Sequence, residues 1–180
     1  KWKFKAKFFS PLAPSSVKRT PVLMTRVEYG FVGSYNKHKK SPFETFYVGG
    51  DGMSGYSGAY GTETIALRGY ENGSIAGSDG PETFGYAYSK LAMELRYPFL
   101  LEPSSTIYGL VFLEAGNAWK DMKSFNPFDL KRSAGVGVRI FLPMIGLMGL
   151  DWGYGFDVPN YGGKGKRNGS KLSFVLGQEF

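Results

Sequence analysis

The chain has no cysteine and a single histidine among its 180 residues. The missing thiols exclude a disulfide framework and a thiolate metal centre. The histidine, His38, sits in "NKHKK", a setting that reads as solvated loop rather than catalytic base. No apolar run reaches the ~20 residues that a membrane-spanning helix needs. "GGDGMSGYSG" is rich in glycine but lacks the lysine and following helix of a phosphate loop. Asp151 and Asp157 share a strand face, but six residues of strand separate them by about 20 Å, too far for an acid–base pair. No nucleophile–base constellation is visible, so the residues give no sign of an enzyme. Aromatic residues make up 17% of the chain, which excludes general disorder. The net charge is +7, and such a balance suits nucleic acid or anionic lipid. The first lysines, however, alternate with apolar residues (Lys1, Lys3, Lys5 and Lys7 against Trp2, Phe4, Ala6 and Phe8). That is a strand with one charged and one greasy face, not a compact nucleic-acid patch.

Period-two alternation recurs along almost the whole chain. It predicts seven strands, near 1–9, 20–33, 85–98, 105–118, 132–142, 146–157 and 170–180. In "YSKLAMELRYPF", Leu91, Met93, Leu95, Tyr97 and Phe99 share one face, while Tyr88, Lys90, Glu94 and Arg96 share the other. "STIYGLVFLEAGNAW" sets Ile107, Val111, Leu113 and Ala115 opposite Glu114. "RSAGVGVRIFL" sets its valines and Ile140 opposite Arg139. The connections alternate between short ones and the longer segments 34–84, 119–131 and 158–169. Short turns at one end and long loops at the other mark an antiparallel transmembrane β-barrel. A soluble β-sandwich also alternates. Strands of ~10 residues or more favour the barrel, being close to the length that crosses a bilayer at a tilt. So do the aromatics near strand ends: Tyr97, Phe99, Trp119, Trp152, Tyr154 and Phe180.

Four motifs resemble the C-terminal half of the barrel in the BamA family of outer-membrane protein assembly factors, relatives of TamA, the mitochondrial sorting protein and two-partner secretion transporters. "SPFETFYVGGDG" (Ser41–Gly52) looks like the segment leading into the family's sixth extracellular loop. "LRGY" (Leu67–Tyr70) matches that loop's arginine–glycine–aromatic tip. "VFLEAGNAW" (Val111–Trp119) is similar to a strand signature with an acidic residue, a glycine and a terminal tryptophan. The final strand, ending on Phe180, resembles the C-terminal β-signal. One departure is Glu114, where the family usually has aspartate.

The resemblance implies a fold, a site and partners. The seven strands would be the last of a sixteen-stranded barrel, and the chain opens in mid-pattern, so a piece of a longer protein with periplasmic domains is expected. The fifty-residue segment 34–84 would fold into the lumen, where Arg68, Gly69 and Tyr70 form a latch against Glu94 and Glu114 on the wall. A two-pronged arginine–carboxylate pair is the expected geometry. The last strand, with Leu172, Phe174, Leu176, Gly177 and Phe180, would form one side of a seam with the first strand, and Gly177 would weaken it. The implied activity is insertion of unfolded outer-membrane proteins into the outer membrane of a Gram-negative cell, with accessory assembly lipoproteins and without a cofactor or metal. Lys164, Lys166 and Arg167, in a long loop, are expected near phosphates of lipid or lipopolysaccharide. A two-partner secretion pore shares the barrel and the arginine loop and stays open as the alternative.

Overall fold

The computed structural model describes residues 1–14, 19–35, 41–52, 63–77, 83–102, 104–144, 146–162 and 164–176. Seven strands form one antiparallel sheet. They are β1 (Trp2–Pro11), β2 (Val22–Phe31), β5 (Ala87–Glu102), β6 (Ser105–Trp119), β7 (Lys131–Leu142), β8 (Gly146–Gly155) and β9 (Gly169–Leu176). Their order in the sheet is their order in the chain, and each neighbouring pair is antiparallel. All seven expected strands are present. β5 runs four residues past its expected end, to Glu102, because a register shift between Pro98 and Leu100 lets pairing with β6 resume beyond the proline.

Alternation decides which face each residue takes, and the register aligns those faces across the sheet. Leu91, Met93, Leu95, Val111, Leu113, Val136, Val138, Leu150 and Trp152 are all exposed on one face. Lys90, Glu94, Glu114, Arg139 and Asp151 are all buried on the other. A soluble sandwich would reverse this, with apolar side chains inward and charges outward. An apolar exterior around a charged interior is the arrangement of a barrel wall in lipid. Aromatics gather at both ends of the strands. Tyr97 and Phe99 meet edge to face near the short turns, and Phe125 packs against Tyr29, Phe31 and Trp119 at the long-loop end.

What covers the inner face is the segment between β2 and β5. It contains two short strands, β3 (Phe46–Val48) and β4 (Glu63–Ile65), paired in parallel. Neither was expected from the residues, because three residues are too few to display a period. Val48 also bridges Ala76 on its other side, so β3 is the spine of the segment. Phe46, Val48, Ile65, Leu67, Tyr70, Ile75 and Ala76 pack with Tyr88 and Ala118 of the wall into one buried apolar cluster. The backbone polar groups that irregular chain brings inside are met locally, as where Leu67 N–H donates to the Gly50 carbonyl.

A buried arginine socket on the inner wall

Arg68 lies at the inner wall and is fully buried. Its guanidinium stacks on the Phe112 ring, with the central carbon 3.7 Å from the ring centroid. Three carboxylates from three strands meet its edges. Glu114 of β6 takes Nε at 3.1 Å and Nη2 at 2.8 Å, both on Oε1. Its other oxygen accepts the backbone N–H of Arg68 at 2.8 Å. Glu94 of β5 accepts from Nη2. Asp151 of β8 accepts from Nη1 at 3.3 Å. Burial by itself would lower the arginine's pKa, but Glu114, Glu94 and Asp151 outweigh it and hold the value above the ordinary guanidinium range.

The carboxylates are also held from the wall. Lys90 Nζ lies 3.2 Å from Glu114 Oε1 and donates to the Ala66 carbonyl at 2.5 Å, so one ammonium ties wall to loop. Arg96 donates to Glu94 at 2.9 Å. Arg139 grips Asp151 with two parallel bonds, Nη1 to Oδ1 at 2.5 Å and Nη2 to Oδ2 at 2.7 Å. The two-pronged pairing expected between Arg68 and a wall carboxylate therefore belongs to Arg139 and Asp151. At Arg68 the two side-chain donors converge on one oxygen, because the other oxygen of Glu114 is taken by the backbone.

Gly69 follows with φ of +85°, a conformation that side chains other than glycine's rarely adopt. A Cβ there would lie 3.0 Å from the Tyr154 carbonyl carbon and 3.1 Å from Ser133 Cβ. The wall gives way to match: a Cβ on Gly153 would lie 2.9 Å from the Gly69 nitrogen. Backbone of loop and backbone of β8 are thus almost in contact. Asn168 donates to the Gly69 carbonyl at 2.7 Å. Tyr70 donates its hydroxyl to the Arg132 carbonyl at 2.7 Å, and that hydroxyl accepts Asp157 N–H at 3.3 Å. Burial first, and the nearby Asp157 carboxylate, push the Tyr70 phenol up to about 12. The Asp157 carboxyl is held below its usual range mainly by the Arg132 side chain, which reaches it at 2.9 Å and 3.1 Å.

Arg68, Gly69, Tyr70, Glu94 and Glu114 therefore come together at one place. Asp151, Arg139, Lys90 and Phe112 belong to the same socket and were not assigned to the latch from the sequence. A signal existed: Asp151 and Arg139 are charges set among inner-face glycines (Gly135, Gly137, Gly149 and Gly153). Leu172, Phe174 and Leu176 lie elsewhere, on the exposed outer face of β9, opposite Trp152, Leu150 and Met148 of β8. Gly177, Phe180 and His38 lie outside the described residues.

A sheet with an apolar exterior, a charged interior and a long loop clasped inside defines a transmembrane β-barrel wall with an internal plug. The chain matches the Omp85 superfamily domain over residues 1–180, and it belongs to that superfamily. Members are outer-membrane β-barrels that insert or translocate proteins. Comparison with curated proteins gives no match.

Proposed function

We propose that the protein is an assembly factor of the BamA type, which inserts β-barrel proteins into the outer membrane at a seam between its first and last strands. In this reading the seven strands are the C-terminal ones of a sixteen-stranded barrel, β9 is the last, and periplasmic domains and accessory lipoproteins complete the machine. The observation that carries the proposal is the match to the Omp85 superfamily domain over residues 1–180. The clasped loop, whose buried apolar cluster and Arg68 socket occupy the inner face of β5–β8, fits this reading and the two-partner secretion alternative alike. In the assembly reading an incoming strand needs unpaired backbone groups inside lipid, where every such group must be satisfied. A sheet edge supplies them, and pairing there is β-augmentation.

The test uses engineered cysteines, which meet no native thiol in this chain. One at Ser173 in the full-length protein is paired with one in the barrel's first strand. Oxidation should stop insertion of a substrate barrel, and reduction should restore it. A locked seam that still inserts substrate at the normal rate rejects the gate. Single cysteines in β9 should also crosslink to a substrate's terminal strand during assembly. Crosslinks to a secreted, non-barrel partner instead would favour the two-partner secretion alternative.

A further inference from the structure

A groove of about 720 Å³ opens on the outer face of the sheet, its base reaching the wall positions Arg26, Ala92, Glu114 and Ser133, whose side chains are buried on the inner side. Its apolar floor includes Leu91 and Met93 of β5 and Leu113 and Ala115 of β6. Register places Met93 beside Leu113, and Leu91 beside Ala115, so the four form one patch facing the hydrocarbon. Arg132 stands next to Ala115 across the β6–β7 pairing, one pair from its end at the long loops. It shares the outward face with Ala115, and its side chain is 68% exposed. Arg167, Asp157 and Phe156, from the loop after β8, complete the same end of the groove. The groove therefore has a direction. Cations mark the long-loop end, and apolar side chains run from there toward the middle of the strands as far as Thr25 of β2.

We infer that this groove is a binding site for a single membrane lipid with a phosphate-bearing headgroup. Long loops face the exterior in such barrels, so Arg132 and Arg167 stand at headgroup level and the floor lies beneath them at acyl-chain level. Asp157 balances one guanidinium. Arg167 leaves the site cationic, and Lys164 and Lys166 in the same loop add to that charge. Cationic side chains near the surface favour anionic headgroups, and an acyl chain fills the apolar floor. The shape and the charge thus select an anionic amphiphile over a zwitterionic one and over a free anion. The inference rests on the placement of the sheet in the outer membrane, not on the insertion activity, so the two fail separately.

The experiment titrates the full-length protein in non-ionic detergent with phosphatidylglycerol, with phosphatidylcholine of the same chains, and with inorganic phosphate, and reads bound lipid by native mass spectrometry. Phosphatidylglycerol should be retained as one tight copy and phosphatidylcholine weakly. Arg167→Gln, which leaves the Arg132–Asp157 pair intact, should weaken phosphatidylglycerol roughly tenfold. Ala115→Trp, filling the floor, should weaken both lipids. Heat-dependent mobility on gels confirms that each variant is folded, and Met93→Trp replaces Ala115→Trp if that variant is not. Equal retention of the two lipids by wild type overturns the inference, as does unchanged binding in Arg167→Gln. Full displacement of phosphatidylglycerol by inorganic phosphate also overturns it, since the groove would then hold only an ion.

Discussion

Around Arg68 the charges can be followed one by one. The wall contributes three carboxylates, Glu94, Glu114 and Asp151, and three cations, Lys90, Arg96 and Arg139, each in contact with one of them. The socket is thus close to neutral before the loop's arginine enters. Removing one partner of a buried ion pair commonly costs ~3–5 kcal/mol, because a charge is stranded. Arg68→Ala strands none in net terms, so its cost should fall near ~3 kcal/mol, at the low end of that range. Glu114→Ala should cost more, since it leaves Lys90 and the Arg68 side chain and backbone N–H together without their shared acceptor. Comparing the protease resistance of segment 63–77 in the two variants checks this order, and a larger loss for Arg68→Ala would contradict it. Gly69→Ala should loosen the loop by ~1–3 kcal/mol through backbone strain alone, with the arginine still present. The residue-scale site was partly legible. The resemblance of "LRGY" to the tip of an inward-folding loop, together with two carboxylates on the inward faces of neighbouring strands, brought Arg68, Glu94 and Glu114 together; the lone arginine by itself reads as a solvated loop residue. The place of Asp151 was not legible, because no local pattern tells how far a distant strand carries its aspartate toward the loop.

At the scale of elements, the loop after β8 holds the inserted segment from above. Asn160 donates to the Ile75 carbonyl at 3.0 Å and to Asn117 at 2.9 Å, and Tyr161 N–H donates to the Ser74 carbonyl at 2.8 Å. Tyr70 and Asp157 fasten the same joint. Tyr70→Phe removes two hydrogen bonds, to the Arg132 carbonyl and from Asp157 N–H, and a net loss of ~1–3 kcal/mol is expected, read as faster amide exchange across 67–77. Asp157 makes the joint acid-sensitive. Its folded pKa is depressed, so its contribution is present above the unfolded value of about 4 and fades as pH falls through the lower folded value. Protection factors across 156–162, corrected for the intrinsic pH dependence of amide exchange, should therefore fall in acid in the native protein and lose most of that dependence in Asp157→Asn. An acid response of equal size in both proteins would place its source elsewhere. The long strands were legible because alternation over ten residues or more is unambiguous. The short strands β3 and β4 were not, since tertiary packing rather than local pattern fixes their pairing.

For the whole molecule, β1 and β9 are the edges of the sheet, and among the described residues neither has an outer neighbour. Exposed edges template further pairing. A polypeptide limited to these 180 residues should therefore associate edge to edge in detergent rather than stay monomeric. Sedimentation checks this, and a stable monomer at all concentrations would show that the edges are closed in some other way. The architecture was readable at this scale because the solvent is lipid on one side. Apolar residues on one face and charges on the other give a stronger contrast along each strand than a soluble sheet does.

The distances along the chain between the loop and its anchors bear on the order of folding. Arg68 meets Asp151 83 residues downstream, and Gly69 meets Asn168 99 residues downstream. When segment 63–77 leaves a membrane-inserting machinery in chain order, its resting place does not yet exist. Strands β5 through β8 must pair before the socket has its third carboxylate, and the loop after β8 must form before Asn168 can reach the glycine. Closing so large a loop is entropically costly until all those contacts are available together. Docking of the arginine is then the last event in this half of the story rather than the first. A docked loop is a record that the wall around it was built in full and in register.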